Sequence, residues 1–267
     1  MKTVTGFFMA WGNFCAIPCP CKKWDEKART HMLVMFPIIG LMMGLLWSAL
    51  FWAVLFLELP VPVSAALLTA YPFVVSGFIH LDGFMDCNDA ILSRRPLEER
   101  QRILKDSRVG AFAVITVVLL FMMVFSGMWA IVEEGAWWIS WCLMGIPVFS
   151  RAMSADSVMG RRPLSTSQYE PSFHPQKNRG FRICNGAIWL LAALLLVIAG
   201  AFAASRAGEA GAAVFMKSAL VMIGAQFAAS LLSGIYARKQ LGGMSGDIAG
   251  FMLVWSELAA VLALAVI

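Results

Sequence analysis

Residues 59–79 read LPVPVSAALLTAYPFVVSGFI and are followed directly by HLDGFMDCND, residues 80–89. The first part is an uncharged apolar run, long enough as a helix to cross about 30 Å of hydrocarbon. The second part brings three aspartates to the end of that run, where charge is costly. The sequence therefore predicts a membrane-spanning helix that leads into a group of carboxylates with a chemical task.

The composition of the chain indicates a membrane protein. Of its 267 residues, 60% are hydrophobic and 14% are charged, and the mean hydropathy is +0.76. This leaves too little polar surface to cover a soluble globule of this length. Lipid permits only helices or closed barrels, and the apolar runs lack the strict alternation of barrel strands. We predict an all-α polytopic integral membrane protein with a single transmembrane domain over residues 1–267.

The apolar runs predict about seven transmembrane helices. Lys and Arg concentrate before the first run and after the second, fourth and sixth, with Arg151 counted in the loop after the fourth. Because cytoplasmic loops are enriched in these residues, we expect a multi-pass inner-membrane protein with a cytoplasmic N-terminus and an outside C-terminus. The basic cytoplasmic face suits anionic membrane lipid or an anionic substrate, and no nucleic-acid partner is predicted. The runs are residues 32–57, 59–79, 109–132, 135–150, 183–205, 218–237 and 248–267.

Residues 1–31 predict an interfacial or re-entrant segment, because the apolar part is short and interrupted by glycines and prolines. Cys15, Cys19 and Cys21 lack the spacing of a zinc site or a disulfide framework, so reduced thiols without an assigned function are expected. The polar loop at residues 156–182 is also left without a function.

Asp82, Asp86 and Asp89 predict a divalent-metal site. At about 100° per residue, their spacing places all three on one face of a helix. Three like charges repel unless a cation lies between them, and hard oxygen ligands suit Mg²⁺ or Mn²⁺. His80 is one residue away from this face and is either a group that supports the site, such as a general base, or a structural histidine.

A compact charged group, KDSRVG, occupies residues 105–110 just before the third run. Lys105 and Arg108 are suited to neutralising phosphate oxygens, and Asp106 can orient one of them or join the metal ligands. Ser107 lies between them. The alternative is an ordinary helix entry flanked by snorkelling charges.

The last run opens with QLGGMSGD at residues 240–247. Gly243 and Gly246 permit close approach of the backbone to a phosphate at a helix N-terminus, with Asp247 as a further metal or hydroxyl partner. A plain loop with Asp247 as N-cap is the alternative. Glu257 lies about 15 Å further along the helix, where an acid usually faces a cavity or a partner.

These groups together favour a membrane-embedded transferase that acts on an anionic, diphosphate-containing substrate, with residues 80–108 as its catalytic segment. An ion-coupled transporter is a second possibility, although relay acids are expected to be spread through the depth of the membrane rather than clustered at one surface. A third is a Mg²⁺-dependent CDP-alcohol-type phosphotransferase.

The sequence resembles the cobalamin synthases, also called adenosylcobinamide-GDP ribazoletransferases. CDP-alcohol phosphotransferases carry an Asp-Gly-x-x-Ala-Arg element, which is not found after Asp82-Gly83. The resemblance rests on four blocks in the expected order, namely FPIIG at 36–40 followed by Gly44, HLDG at 80–83 with Asp86 and Asp89, KDSRVG at 105–110, and GGMSGD at 242–247 with Glu257.

The resemblance implies that a hydroxyl of α-ribazole or its 5′-phosphate attacks the cobinamide-side phosphate of adenosylcobinamide-GDP, and that GMP leaves. This step belongs to nucleotide loop assembly in vitamin B12 biosynthesis. The resemblance also implies that Mg²⁺ bound by Asp82, Asp86 and Asp89 holds the diphosphate, while Lys105 and Arg108 stabilise the leaving GMP. The expected substrate-binding residues are His80, Asp106, Ser107, Gly243, Gly246, Asp247 and Glu257.

Overall fold

The computed structural model describes residues 2–164 and 178–267, so the loop at 156–182 falls partly outside the described residues. The described residues form helices and no β-sheet, as predicted for an all-α membrane protein. The helices are α1 Lys2–Phe14, α2 Arg29–Phe56, α3 Val61–Val75, α4 Ile79–Leu92, α5 Leu97–Ile103, α6 Ala111–Glu134, α7 Ile139–Gly160, α8 Arg179–Ala204, α9 Glu209–Leu241 and α10 Gly246–Ala265.

The number of membrane-spanning helices agrees roughly with the prediction. Helices α2, α6, α8, α9 and α10 are long and apolar enough to cross a membrane, and the bent pair α3 and α4 can count as a sixth span. Helix α7 takes the place of the remaining predicted run. It lacks an apolar stretch like those of the five long helices and is largely buried, which fits a helix surrounded by protein rather than by lipid.

The second apolar run breaks into two helices instead of forming one continuous span. Helix α3 ends at Val75, α4 begins at Ile79, and the two are bent by 89°. Gly77 and Phe78 both have positive φ, 64° and 61°, and this backbone turns the chain through about a right angle. The Val75 carbonyl accepts a hydrogen bond from the backbone N–H of Ala16 at 2.8 Å, so the N-terminal segment satisfies a group beside the break.

The N-terminal helix α1 is 13 residues long, about 20 Å, which is shorter than the hydrocarbon core. It packs on the start of α2, where a Cβ on Gly6 would lie 2.8 Å from the His31 backbone. The chain after α1 therefore reaches the bend between α3 and α4 from a helix held against the bundle.

The carboxyl ends of α7 and α9 and the amino ends of α8 and α10 meet at one end of the bundle. Arg161, Arg162, Arg238 and Lys239 lie there, so we call it the basic end. Helix α5 is joined to this end because the Gln101 side chain donates to the Leu241 carbonyl at 2.8 Å, and Arg100 donates to Gln240.

Helix α2 crosses α7 at two glycines with almost no space between the backbones. A Cβ on Gly40 would collide with the Pro147 carbonyl, and a Cβ on Gly44 would collide with the Met144 carbonyl. The glycines of the first sequence block therefore serve helix packing, as small residues do between membrane helices.

We expect Gly44→Ala to lower the free energy of unfolding by about 1–3 kcal/mol, because α2 and α7 must separate to admit the methyl group. Gly224→Ala in α9 is the matched control, since nothing lies within 4 Å of a Cβ there. Chemical unfolding of both purified variants in detergent measures the difference. Equal stability of the two variants would contradict this account of the crossing.

Candidate active site

Three carboxylates from two helices gather at the basic end. The carboxylates of Asp82 and Asp86 in α4 have no hydrogen-bond partner among the described residues; Asp82 is exposed and Asp86 is half-buried. Asp247, in the first turn of α10, is close enough to both for mutual electrostatic repulsion, and it accepts a hydrogen bond from the Ser245 hydroxyl at 3.2 Å. The spacing of α4 thus presents Asp82 and Asp86 together, and Asp247 joins them.

Two glycines allow α4 and α10 to bring these acids together. A Cβ on Gly83 would lie 2.8 Å from the Asp247 Cα, and a Cβ on Gly250 would lie 3.0 Å from the His80 carbonyl oxygen. Larger residues at either position would push the amino ends of the two helices apart. The contact between the helices is therefore a condition for the acid group to exist.

A pocket of about 110 Å³ lies beside the carboxylates and is lined by His80, Asp82 and Asp247 among others. His80 is 7% exposed, its ring lies beside the paired rings of Phe14 and Phe36, and its Nε2 has no hydrogen-bond partner among the described residues. This nitrogen is available to a bound molecule. His80 therefore lines the pocket, and its role in supporting the site stays a prediction.

The pocket continues into a long open groove. A depression of about 550 Å³ shares Ile79 and Asp82 with the pocket and extends to Cys15. A third depression of about 580 Å³ shares Cys15 with the second and extends to Trp24. The groove is therefore large enough for a substrate much bigger than the pocket itself.

Asp89 has a different environment from Asp82 and Asp86. Its two carboxylate oxygens accept hydrogen bonds from the backbone N–H groups of Gly110 at 2.6 Å and Ala113 at 2.9 Å. These are unpaired amides at the amino end of α6, so Asp89 acts as a remote cap for that helix. The contact fixes the charged segment at 105–110 against α4.

We expect Asp89→Ala to lower the free energy of unfolding by about 1 kcal/mol through loss of this cap, and to reduce turnover by displacing the segment at 105–110. Asp89→Asn keeps one acceptor and is expected to retain more stability and more turnover than Asp89→Ala. Unfolding in detergent and the rate of turnover, measured on the same preparations, show whether the two variants rank in this way. If Asn were as damaging as Ala to turnover at unchanged stability, a direct role for the charge would follow.

Lys105 and Arg108 are both exposed, and of the two only Arg108 contacts a carboxylate of the described residues. Arg108 donates to both oxygens of Asp106, at 3.0 Å from Nε and 2.7 Å from Nη2. This hydrogen bonding lowers the pKa of the Asp106 carboxyl to about 2, so the pair stays charged at neutral pH. Ser107 is exposed beside them. The structure leaves Lys105 as the cation that is open to an anionic ligand.

The glycine-rich turn before α10 packs against protein at Gly243. A Cβ on Gly243 would lie 2.9 Å from the Leu164 backbone nitrogen, and Leu164 N–H donates to the Met244 carbonyl at 2.9 Å. The N-cap of α10 is Ser245, whose hydroxyl accepts from the Ile248 N–H at 3.3 Å. Asp247 is therefore not the N-cap, and its carboxylate is turned toward the acids of α4.

Glu257 has a buried partner that the sequence did not reveal. Its carboxylate accepts from the Arg151 guanidinium and from the Ser150 hydroxyl, both at 2.8 Å. Arg151 is 1% exposed and lies inside α7, which continues to Gly160, so the prediction that it belongs to the loop after the fourth run was wrong. Glu257 does not line the aspartate pocket in the described structure. The ion pair with Arg151 shows that this deep acid has a partner, as predicted.

The carboxylates suit a metal ion held jointly with a substrate. Among residues 2–164 and 178–267, no three His, Cys, Asp or Glu side chains enclose a position for an ion. Mg²⁺, however, is usually held by one or two carboxylates, water and substrate phosphates. Asp82 and Asp86 have free oxygens, so their chemistry fits that arrangement. Cys15 offers no thiolate, because burial raises the pKa of its thiol.

Comparison with known proteins gives one consistent family. Residues 6–265 match the family model described as cobalamin-5-phosphate synthase. A Clostridium perfringens strain 13 protein named adenosylcobinamide-GDP ribazoletransferase is 35% identical, with 97% of this chain and 96% of that protein covered. A Pseudomonas putida W619 protein of the same name is 33% identical, with 97% and 98% covered. No solved structure matches the chain.

Proposed function

Because the chain belongs to the cobalamin-5-phosphate synthase family, we propose that Asp82, Asp86 and Asp247 form its active site. The enzyme is an adenosylcobinamide-GDP ribazoletransferase and acts in the nucleotide loop assembly of vitamin B12. A hydroxyl of α-ribazole, or of its 5′-phosphate, forms a bond to the phosphorus on the cobinamide side. The bond from that phosphorus to the oxygen of GMP breaks, which releases GMP and the cobalamin product.

The observation that carries this proposal is the meeting of free carboxylates from α4 and α10 beside a pocket that opens into a groove. Mg²⁺ held by Asp82 and Asp86 would neutralise the diphosphate of the donor. Asp247 lies beside them, and one carboxylate of the group takes the proton from the acceptor hydroxyl. We assign Asp89 to positioning, because its oxygens are bonded to the amides of α6.

Lys105 is the main residue that stabilises the negative charge of the leaving GMP. This side chain is exposed, whereas Arg108 already donates to Asp106. His80 offers its unpaired Nε2 to a substrate group in the pocket. The groove from Asp82 to Trp24 gives room for the corrinoid and nucleotide parts of the donor.

We place this site on the cytoplasmic face of the inner membrane. The basic end carries Arg161, Arg162, Arg238 and Lys239, and the segment with Lys105 is tied to α4 at the same end. Cytoplasmic loops are enriched in such residues. The substrates of the reaction would then meet the enzyme from the cytoplasm.

The buried ion pair and the family match argue against the two alternative functions. Glu257, the deep acid expected in an ion-coupled transporter, is paired with Arg151 and Ser150. A CDP-alcohol-type phosphotransferase would release CMP and lacks support from the family match, which covers residues 6–265.

The test is the release of GMP by the purified enzyme in detergent or in vesicles. Adenosylcobinamide-GDP and α-ribazole 5′-phosphate are supplied with Mg²⁺, or with excess chelator, and both GMP and the corrinoid product are quantified. We expect both products in equal amounts with Mg²⁺ and neither with chelator. Product formation in the presence of chelator would show that the reaction needs no metal ion. Release of CMP from a CDP-alcohol donor would favour the CDP-alcohol-type phosphotransferase.

A further inference from the structure

A second crevice, of about 350 Å³, lies between α7, α8 and α9 at the basic end. It shares no lining residue with the aspartate pocket, and the reaction described above makes no use of it. One part of its lining is polar and includes Asp156 and Asn185, while another part is apolar. The crevice therefore combines a place for a charged group with a place for hydrocarbon.

Two guanidinium groups line the polar end without an acidic partner. Arg161 is exposed and Arg238 is half-buried, and the two are close enough to repel each other. Neither contacts a carboxylate within the described parts of the chain. Asp156 cannot serve them, because Arg182 donates to both of its oxygens, at 2.9 and 3.1 Å. The crevice thus has an excess of positive charge that an anion would neutralise.

Two buried polar atoms of the crevice also lack partners among the described residues. The Asn185 side chain is 2% exposed and donates to the Ala152 carbonyl at 2.7 Å, but its Oδ1 accepts no hydrogen bond. The indole Nε1 of Trp189 donates none. Buried polar groups are nearly always paired in folded proteins. A ligand with a hydroxyl group and phosphate oxygens would satisfy both atoms.

The crevice opens through apolar side chains onto the outer surface of the bundle. Leu190, Phe227 and Leu231 line it and are 64%, 53% and 42% exposed. They belong to α8 and α9, two helices apolar enough to cross the membrane, so this opening faces lipid. Acyl chains would enter here with no further change in the helices.

We propose that this crevice binds an anionic glycerophospholipid from the leaflet at the basic end. Arg161 and Arg238 hold the phosphate, and Trp189 donates to a phosphate oxygen. Asn185 accepts from a headgroup hydroxyl, as in a glycerol headgroup. An acyl chain lies against Phe227 and Leu231.

The experiment compares lipid binding by the full chain and two charge-matched double variants. Native mass spectrometry of the purified protein, titrated with phosphatidylglycerol or phosphatidylcholine, gives the preference for the anionic lipid. At about 1 kcal/mol per basic residue, Arg161→Gln with Arg238→Gln should reduce this preference roughly thirty-fold. Arg94→Gln with Arg95→Gln removes the same charge from an exposed loop of the same basic surface and should reduce it far less. An unchanged preference in the crevice variant, or an equal loss in the control, overturns the proposal.

Trp189→Phe keeps a ring in the crevice and removes only the Nε1 donor, so it tests the site if the double variant does not fold. We expect a several-fold weaker preference, and wild-type binding in this variant counts against the proposal. A second arm adds inorganic phosphate or α-ribazole 5′-phosphate to protein in phosphatidylcholine vesicles. Thermal stabilisation there, lost in the Arg161→Gln, Arg238→Gln variant, would assign the crevice to a soluble phosphate ester and overturn the lipid assignment.

Discussion

Asp82→Asn is expected to lower the rate of GMP release about a hundred-fold or more while the protein stays folded. The Asp82 carboxylate is exposed and has no hydrogen-bond partner among the described residues, so the substitution removes no contact within the fold. It does remove a charged oxygen next to Asp86 and Asp247, where the donor diphosphate is bound in our proposal. Loss of one group that acts directly on developing charge typically costs this much.

The control for this variant is Glu98→Gln, which removes the same charge from an exposed position on α5. Rates are measured at saturating concentrations of both substrates and of Mg²⁺, together with the melting temperature in detergent. Glu98→Gln should match the wild type in both. Asp82→Asn should match it only in melting temperature, and a wild-type rate would remove Asp82 from the active site.

Glu257→Leu is expected to lower the free energy of unfolding by about 3–5 kcal/mol. The substitution leaves the Arg151 guanidinium, 1% exposed, without the carboxylate that it contacts at 2.8 Å. No water is available in the membrane interior to solvate the remaining charge. Equilibrium unfolding in detergent measures the loss, and the activity at low temperature shows whether the folded fraction keeps its site.

The double variant Arg151→Met, Glu257→Leu distinguishes the contribution of the ion pair to stability from the contribution of side-chain packing. Because no unpaired charge remains buried, we expect it to be more stable than Glu257→Leu alone. If the two substitutions had additive costs, the pair would contribute no coupling between α7 and α10. Ser150 donates to the same carboxylate, so Ser150→Ala is a milder probe of the same contact.

Spacing along the chain predicted the face of α4 that carries Asp82 and Asp86, because helical periodicity alone places i and i+4 together. The glycine-rich turn left Asp247 either as a further metal or hydroxyl partner or as an N-cap, and the structure gives the N-cap to Ser245. Spacing did not predict that Asp89 would cap α6, since the sequence does not show which backbone amides end beside a carboxylate. The metal-binding role of the aspartates stays a prediction.

The apolar runs predicted where helices occur, but they did not predict where those helices end or bend. A charge was taken as the end of the fourth run, yet α7 continues past Arg151 because Glu257 neutralises that charge. The second run was taken as continuous, yet it bends at Gly77 and Phe78. Both features depend on residues far away in the sequence, which no local pattern contains.

The close packing of α4 on α10 at Gly83 also bears on how the enzyme is made. Asp82 lies in the first third of the chain, whereas Asp247 lies near its end, and the two helices meet backbone to backbone. During synthesis, Asp82 and Asp86 enter the membrane surface long before their partner helix exists. A chain that stalls before α10 therefore has no complete set of carboxylates. The acid group is therefore completed only when α10 packs against α4.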